Sequence, residues 1–256
     1  MQWDPSQYLR FASHRLRPAV ELLQRVTLDA PRRVYDLGAG AGNVTALLAG
    51  RWPEAQVIGV DSSAEMLQRA ALEAPRLRFE QADLNDFVPE TPADLLFSNA
   101  VLHWLGDHRS LLTRWMGCLE PGGVLAVQMP NNFREPSHTA IADVVRNGPW
   151  RSRLEATMRS APVANPAFYL DFLAPLSASL DVWETVYYHV LEGVDPVREW
   201  TGSTALAPVL AHLEGAEREA FEADYTARLS HAYPRRADGR TVFPFRRLFI
   251  VATRGK

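Results

Sequence analysis

Between Arg33 and Met129 five short apolar runs alternate with helix-patterned segments, and the first run leads straight into Gly38-Ala39-Gly40-Ala41-Gly42. No other feature of the chain narrows the fold so far. Strands that are apolar along their whole length need cover on both faces. Helices between them supply that cover, and right-handed crossovers then make the sheet parallel. The expected fold class is therefore α/β, a doubly wound, Rossmann-like and mostly parallel sheet. The runs are Val34–Leu37, Val57–Val60 ending in Asp61, Leu77–Phe79 ending near Asp83, Ala93–Phe97 ending at Ser98-Asn99, and Val124–Met129. Ser62-x-x-Glu65 reads as a capping box opening the helix that carries Met66 and Leu67. Leu111, Leu112, Trp115, Met116 and Leu119 share a helical face, and Pro121-Gly122-Gly123 reads as the end of that helix.

The flanks have a different rhythm. Tyr8, Phe11, Val20, Leu22 and Leu23 fall at helical spacing with Pro18 placed to open a second helix, so two short helices are expected before the first strand. After Met129, Pro130, Pro136, Pro149, Pro162, Pro166 and Pro175 punctuate mostly helical pieces. A strand-like stretch Val182–His189, a helical segment from Pro196 to Tyr233 and a final strand Leu248–Ala252 follow. Segments 137–175 and 192–240 are each too short and too interrupted for a core of their own. The expectation is one domain over residues 1–256, with a helical cap formed by roughly 1–30, 137–175 and 192–240.

Composition removes several classes of function. With 27 basic against 30 acidic side chains, a formal charge of −3 and no basic run, the chain lacks the electrostatic footprint of a nucleic-acid binder. Cys118 is the only cysteine, which excludes internal disulfides, Cys-x-x-Cys redox chemistry and thiolate zinc sites; no metal is expected. The only lysine is Lys256, so a Schiff-base lysine or a phosphate-loop lysine is absent from the body of the fold. No apolar run nears the roughly 20 residues that cross a bilayer, and Met1-Gln2-Trp3-Asp4-Pro5 has no export pattern. Small-molecule chemistry in the cytoplasm, without a membrane or nucleic-acid partner, is the expectation.

A glycine loop between strand and helix lets backbone approach a ligand, and the helix start offers free N–H donors. The loop is Gly38-x-Gly40-x-Gly42 with Asn43 where the dinucleotide fingerprint has its last glycine, so a nicotinamide enzyme fits poorly. Asp61, about 20 residues on at the tip of the second strand, can accept both hydroxyls of a ribose. Asp83 closes the third strand on the same edge and can take a proton from an exocyclic amine. Asp36, just before the loop, suits a ligand carrying an ammonium or sulfonium. Glycine loops after strands are common, and strand-end aspartates often only cap the next helix. Three of them around one loop suit a cationic adenosyl ligand, S-adenosylmethionine, better than a pyrophosphate.

Asp36-Leu37-Gly38-Ala39-Gly40-Ala41-Gly42-Asn43, Asp61-Ser62-Ser63, Gln81-Ala82-Asp83 and Leu119-Glu120-Pro121-Gly122-Gly123 together resemble the class I S-adenosylmethionine-dependent methyltransferases. More narrowly, the chain is similar to the trans-aconitate-methylating branch of that family. Trp3-Asp4-Pro5 through Tyr8, Arg15-x-Arg17-Pro18, Leu102-His103-Trp104-Leu105, Ala126-Val127-Gln128-Met129-Pro130-x-Asn132, Val186-Tyr187-Tyr188-His189 and Arg247–Ala252 carry that likeness. The resemblance implies a seven-stranded sheet with a reversed last strand and esterification of one carboxylate to a monomethyl ester. Another small carboxylic acid or a phenol stands as the alternative acceptor. By the same resemblance Asp36, Gly38, Gly40, Gly42, Asp61, Ser62, Met66, Asp83, Leu84 and Asn99 line the cofactor side, with Met66 against the adenine or simply in the core. His103 stands where that branch carries glutamine. Ser98-Asn99-Ala100 lacks the prolines of nucleic-acid amino-methyltransferases.

A carboxylate acceptor is already ionised at pH 7, so no general base is expected. The work falls to orientation and to cations that hold the unreacting carboxylates, for which bidentate arginine is suited. Arg15, Arg17, Arg247 and His103, with Trp104 and Tyr8, are the substrate-side candidates. Each has a plainer reading: an exposed helix for Arg15 and Arg17, a solvated rim for Arg247, and packing for His103, Trp104 and Tyr8.

Overall fold

The computed structural model describes residues 12–158 and 161–255, with residues 12–15 and Thr157 followed along their backbone only. The described chain forms two compact units, one of residues 13–130, 163–185 and 247–255, the other of 131–158, 161–162 and 186–246.

The first unit is built on the alternation read from the sequence. Helix α1 (Ala12–Gln24) precedes β1 (Arg33–Leu37), α2 (Asn43–Arg51), β2 (Gln56–Asp61), α3 (Ala64–Glu73), β3 (Arg78–Gln81) and β4 (Ala93–Asn99). A 3₁₀ turn at Leu102–Trp104, α4 (His108–Gly117) and β5 (Leu119–Pro130) follow. Helices α5 (Pro136–Asn147), α6 (Arg151–Leu154) and α7 (Pro166–Leu173) lead to the long strand β6 (Ser177–Leu191). Then come α8 (Pro196–Gly202), α9 (Ala207–Leu210), α10 (Gly215–Ala232) and β7 (Thr241–Arg254). The seven strands lie in the order β3-β2-β1-β4-β5-β7-β6, and β7 runs antiparallel to β5 while β1 to β5 are parallel. The reversed last strand and the doubly wound α/β class agree with the sequence reading. Val34, Leu37, Leu95, Leu96, Phe97, Leu125, Ala126 and Val127 are fully buried along the central strands, as apolar runs covered on both sides should be.

The second unit has a core of its own, which draws on both punctuated segments at once. Val144 and Trp150 from the first, and Trp200, Phe221 and Tyr225 from the second, cluster with Phe243 and Phe245 of β7. Tyr225 and Tyr233 use their hydroxyls within it: Tyr225 donates to the Ser137 carbonyl at 2.8 Å and Tyr233 accepts the Ser137 N–H at 3.1 Å.

Three local readings need correction. Pro18 lies inside α1 and does not open a new helix; it costs one backbone bond, which the burial of Ala19, Leu22 and Leu23 outweighs. The cap of α3 is Ser63, not Ser62. Asp61 Oδ1 accepts the Ser63 N–H at 2.9 Å, and this turn carries the chain one residue further before Ser63 Oγ accepts the Met66 N–H at 3.2 Å. Pro121-Gly122-Gly123 lies within β5, α4 having closed at Gly117, and the β4–β5 register shifts there between Ala93 and Leu95. The helical segment from Pro196 to Tyr233 is made of three helices.

Candidate active site

Apart from Arg15 and Tyr8, the candidate residues lie at the carboxyl ends of β1, β2, β3 and β4, on the turns after them, and on α1, α3 and β7. Leaving β1, the chain turns back at Gly38, whose N–H donates to the Val60 carbonyl at 2.7 Å, and Gly42 becomes the N-cap of α2. Gly38, Gly40 and Gly42 have φ of 83°, 54° and 81°. At Gly38 side-chain bulk is also excluded, because a Cβ there would sit 2.2 Å from Val101 Cγ2.

Asp61 ties this loop down. Its Oδ2 accepts the Gly40 N–H at 2.9 Å while Oδ1 holds Ser63, so one carboxylate joins the glycine loop to the start of α3. Ser62 is exposed and its carbonyl accepts Gln81 Nε2 at 3.1 Å. Met66 lies against the loop, its Cε 3.5 Å from where a Gly40 Cβ would stand. Asp83 is exposed beyond β3, with Oδ1 accepting the N–H and Nδ2 of Asn85 at 2.8 and 2.9 Å; Leu84 beside it is buried.

Asp36 differs from the simple anion expected from the sequence. It is 1% exposed, and Thr45 Oγ1 donates to its Oδ2 at 2.7 Å. Burial raises its carboxyl from 3.8 to about 7; the Thr45 bond opposes the rise and the charge of Asp61 adds to it. Near neutral pH the group is therefore poised between acid and carboxylate.

At the end of β4, Asn99 keeps Oδ1 buried with no hydrogen-bond partner among the described residues. Ala100 then adopts φ 60°, its N–H donating to the Gln128 carbonyl at 2.8 Å, and the chain enters the Leu102–Trp104 turn. His103 is half-buried, and Trp104 is 55% exposed with its ring 4.7 Å from that of His103. His108 holds the turn from behind. Its Nε2 lies 2.8 Å from the Leu102 carbonyl, which can only accept, so Nε2 carries the proton and Nδ1 accepts from Tyr169 Oη at 2.8 Å. Burial lowers the His108 pKa and keeps the ring neutral.

Arg247 is 4% exposed, not on a solvated rim, and its Nη1 reaches Gln128 Oε1 at 3.5 Å. Arg17 lies on the exposed surface of α1 with Nε on Glu21 Oε1 at 2.7 Å. Tyr8 and the side chain of Arg15 lie outside the described residues.

A family model described as a methyltransferase domain matches residues 34–123. A curated trans-aconitate 2-methyltransferase from Azoarcus sp. (strain BH72) is 48% identical over 252 residues, 98% of this chain and 99% of the relative. One from Streptomyces avermitilis is also 48% identical, over 98% of this chain and 96% of its own. The chain belongs to the trans-aconitate 2-methyltransferase family. Solved structures agree on the fold of this methyltransferase. A putative methyltransferase from Bacillus halodurans superposes with a TM-score of 0.60 at 13% identity, over 94% of this chain and 100% of its own. Haemonchus contortus phosphoethanolamine N-methyltransferase 2, solved with S-adenosyl-L-methionine, gives 0.55 at 18%, over 94% and 53%.

Sequence reasoning passed over Thr45, His108 and Tyr169, and named Gln128 only within the family-like run Ala126–Asn132. His108 and Tyr169 are 61 residues apart and meet only through the packing of α4 and α7, so no local pattern marks them. Gln128 did leave a signal, as the one polar residue inside the apolar run Val124–Met129.

Proposed function

We propose that the protein transfers the methyl group of S-adenosylmethionine to a carboxylate of trans-aconitate, giving a monomethyl ester. The reach of the similarity carries this reading. The methyltransferase domain model ends at residue 123, whereas the relatives named for trans-aconitate align over 98% of the chain, through Gln128 and Arg247. The half-buried Cys118 thiol, the only one in the chain, fits work in the reducing cytoplasm.

The residues present fit the cofactor. At Gly40 the loop leaves its backbone open, an added Cβ meeting only Met66 Cε at 3.5 Å, and Asn99 Oδ1 is a buried acceptor still unspent. In this reading Gly38, Gly40, Gly42, Asp61, Ser62, Met66, Asp83, Leu84 and Asn99 hold the cofactor and Asp36 contributes negative charge behind it. Bound there, the cofactor supplies a methyl group made electrophilic by its sulfonium. Each Asp61 oxygen accepts one backbone N–H and retains capacity for a ribose hydroxyl. Asp61→Ala is thus expected to weaken cofactor binding by about 1–3 kcal/mol, read by isothermal titration. Unchanged affinity in a folded variant removes Asp61 from the site.

The acceptor needs no deprotonation, so the protein's part is to orient it and to neutralise its other carboxylates. Arg247 is the foremost cation for that role, with His103, Trp104, Tyr8, Arg15 and Arg17 as further substrate-side residues; Arg17 has Glu21 to satisfy first. The test is turnover of purified protein with labelled cofactor against trans-aconitate, cis-aconitate, citrate and a phenol. Trans-aconitate is expected to have the highest kcat/KM, with kcat nearly flat from about pH 6 to 8. Esterification of another acid alone, or of the phenol alone, overturns the assignment.

A further inference from the structure

Gln128 is a fully buried amide that the cofactor residues do not use. It pairs across β4 with Asn99 and across β7 with Phe249, while Arg247 stands two residues before Phe249. Residues directly opposed on neighbouring strands project from one face, as do residues two apart on a strand. Asn99, Gln128 and Arg247 therefore share a sheet face at the carboxyl ends of β4 and β5. The approach of Arg247 Nη1 to Gln128 Oε1 orients the amide, turning its oxygen toward the guanidinium. Its Nε2 is then left buried, with no hydrogen-bond partner among the described residues. A methionine of similar size would fill the place without stranding two N–H groups. Glutamine there is a standing cost that a ligand acceptor would remove.

We propose that Gln128 and Arg247 together form a carboxylate subsite, in which the guanidinium and the carboxamide N–H groups grip an unreacting carboxylate of the acceptor acid. Gln128 is the residue that makes this grip directional. The inference rests on the proposed function and adds to it a residue that selects for an acid with more than one carboxylate. Asn99, adjacent on the same face, offers a bare acceptor oxygen and repels a carboxylate, so along the edge acceptor gives way to donors from β4 to β7. The cofactor's own amino-acid end also carries a carboxylate, and the experiment has to separate the two sources.

Gln128→Met keeps volume and deletes the donor; Gln128→Glu sets a carboxylate in its place. Gln128→Met is expected to raise KM for trans-aconitate about tenfold, with kcat within about twofold and the Kd of S-adenosylmethionine unchanged. Gln128→Glu should cost a hundredfold or more in kcat/KM. Tricarballylate, a saturated tricarboxylate, gives a readout independent of methyl transfer: it should raise the melting temperature of wild type and do so far less for Gln128→Met. Wild type that gains stability from tricarballylate yet methylates no trans-aconitate sinks the substrate assignment while the subsite stands. The subsite itself is overturned by any of three results: tricarballylate stabilises neither protein or both alike, Gln128→Met weakens cofactor and not acid, or Gln128→Met unfolds with Gln128→Glu binding the acid normally.

Discussion

Gly38→Ala is expected to destabilise the protein by about 2–5 kcal/mol, a large part of the net stability of an ordinary domain. Two costs add. The residue has φ 83°, and an alanine in that left-handed region loses roughly 1–2 kcal/mol. Its methyl would also stand 2.2 Å from Cγ2 and 2.8 Å from Cγ1 of Val101, a branched side chain that cannot swing aside as a long one could, and such overpacking costs roughly 1–3 kcal/mol. Relief must move either the glycine loop or the segment leading into the Leu102–Trp104 turn, so cofactor and substrate affinities should fall together. Chemical denaturation of Gly38→Ala, Val101→Ala and the double variant separates the two costs. In the Val101→Ala background most of the clash contribution should be lost, Val101 Cβ alone standing 3.0 Å away, and the backbone contribution remain. A Gly38→Ala protein as stable as wild type, or no relief from Val101→Ala, contradicts this account.

The second large effect is a pH dependence centred on Asp36. Its carboxyl lies near 3.8 when unfolded and at about 7 when folded, so between those values the native state holds a proton that the unfolded chain has released. Stability from this group is therefore full below pH 4, falls as pH rises through the window, and levels off above 7. The span amounts to roughly 4 kcal/mol. Asp36→Asn can still accept from Thr45 Oγ1 and has nothing to ionise. Its stability relative to wild type should climb steadily from pH 4 to 7 and then stay constant, as urea titrations at several pH values would read. A difference independent of pH would mean that the carboxyl stays ionised in its buried place.

How much of this was legible beforehand follows the range of each interaction. The strand, glycine loop and helix, and Asp61 at the next strand tip, are encoded within about 30 residues, and periodicity and spacing found them. The raised pKa of Asp36 was not legible, because nothing in Tyr35-Asp36-Leu37 announces how completely the fold will bury it. The Ser62 reading missed by one residue because the Asp61 side chain, competing for the Ser63 N–H, sets where α3 begins. For Arg247, named among the substrate-side cations, the plainer alternative was a solvated rim. The register Pro130↔Arg247 instead carries it inward beside Gln128.

The strand order has a consequence for how the chain is made. β7, last of the seven in sequence, is inserted between β5 and β6, which precede it by up to about a hundred residues. During synthesis, β5 keeps an open edge and β6 has no neighbour in the sheet until β7 emerges. Bare strand edges recruit other chains. The nascent protein is thus exposed to misassembly while the segment between Pro130 and Thr241 is made, and a chain ending before Thr241 has a sheet that cannot be completed.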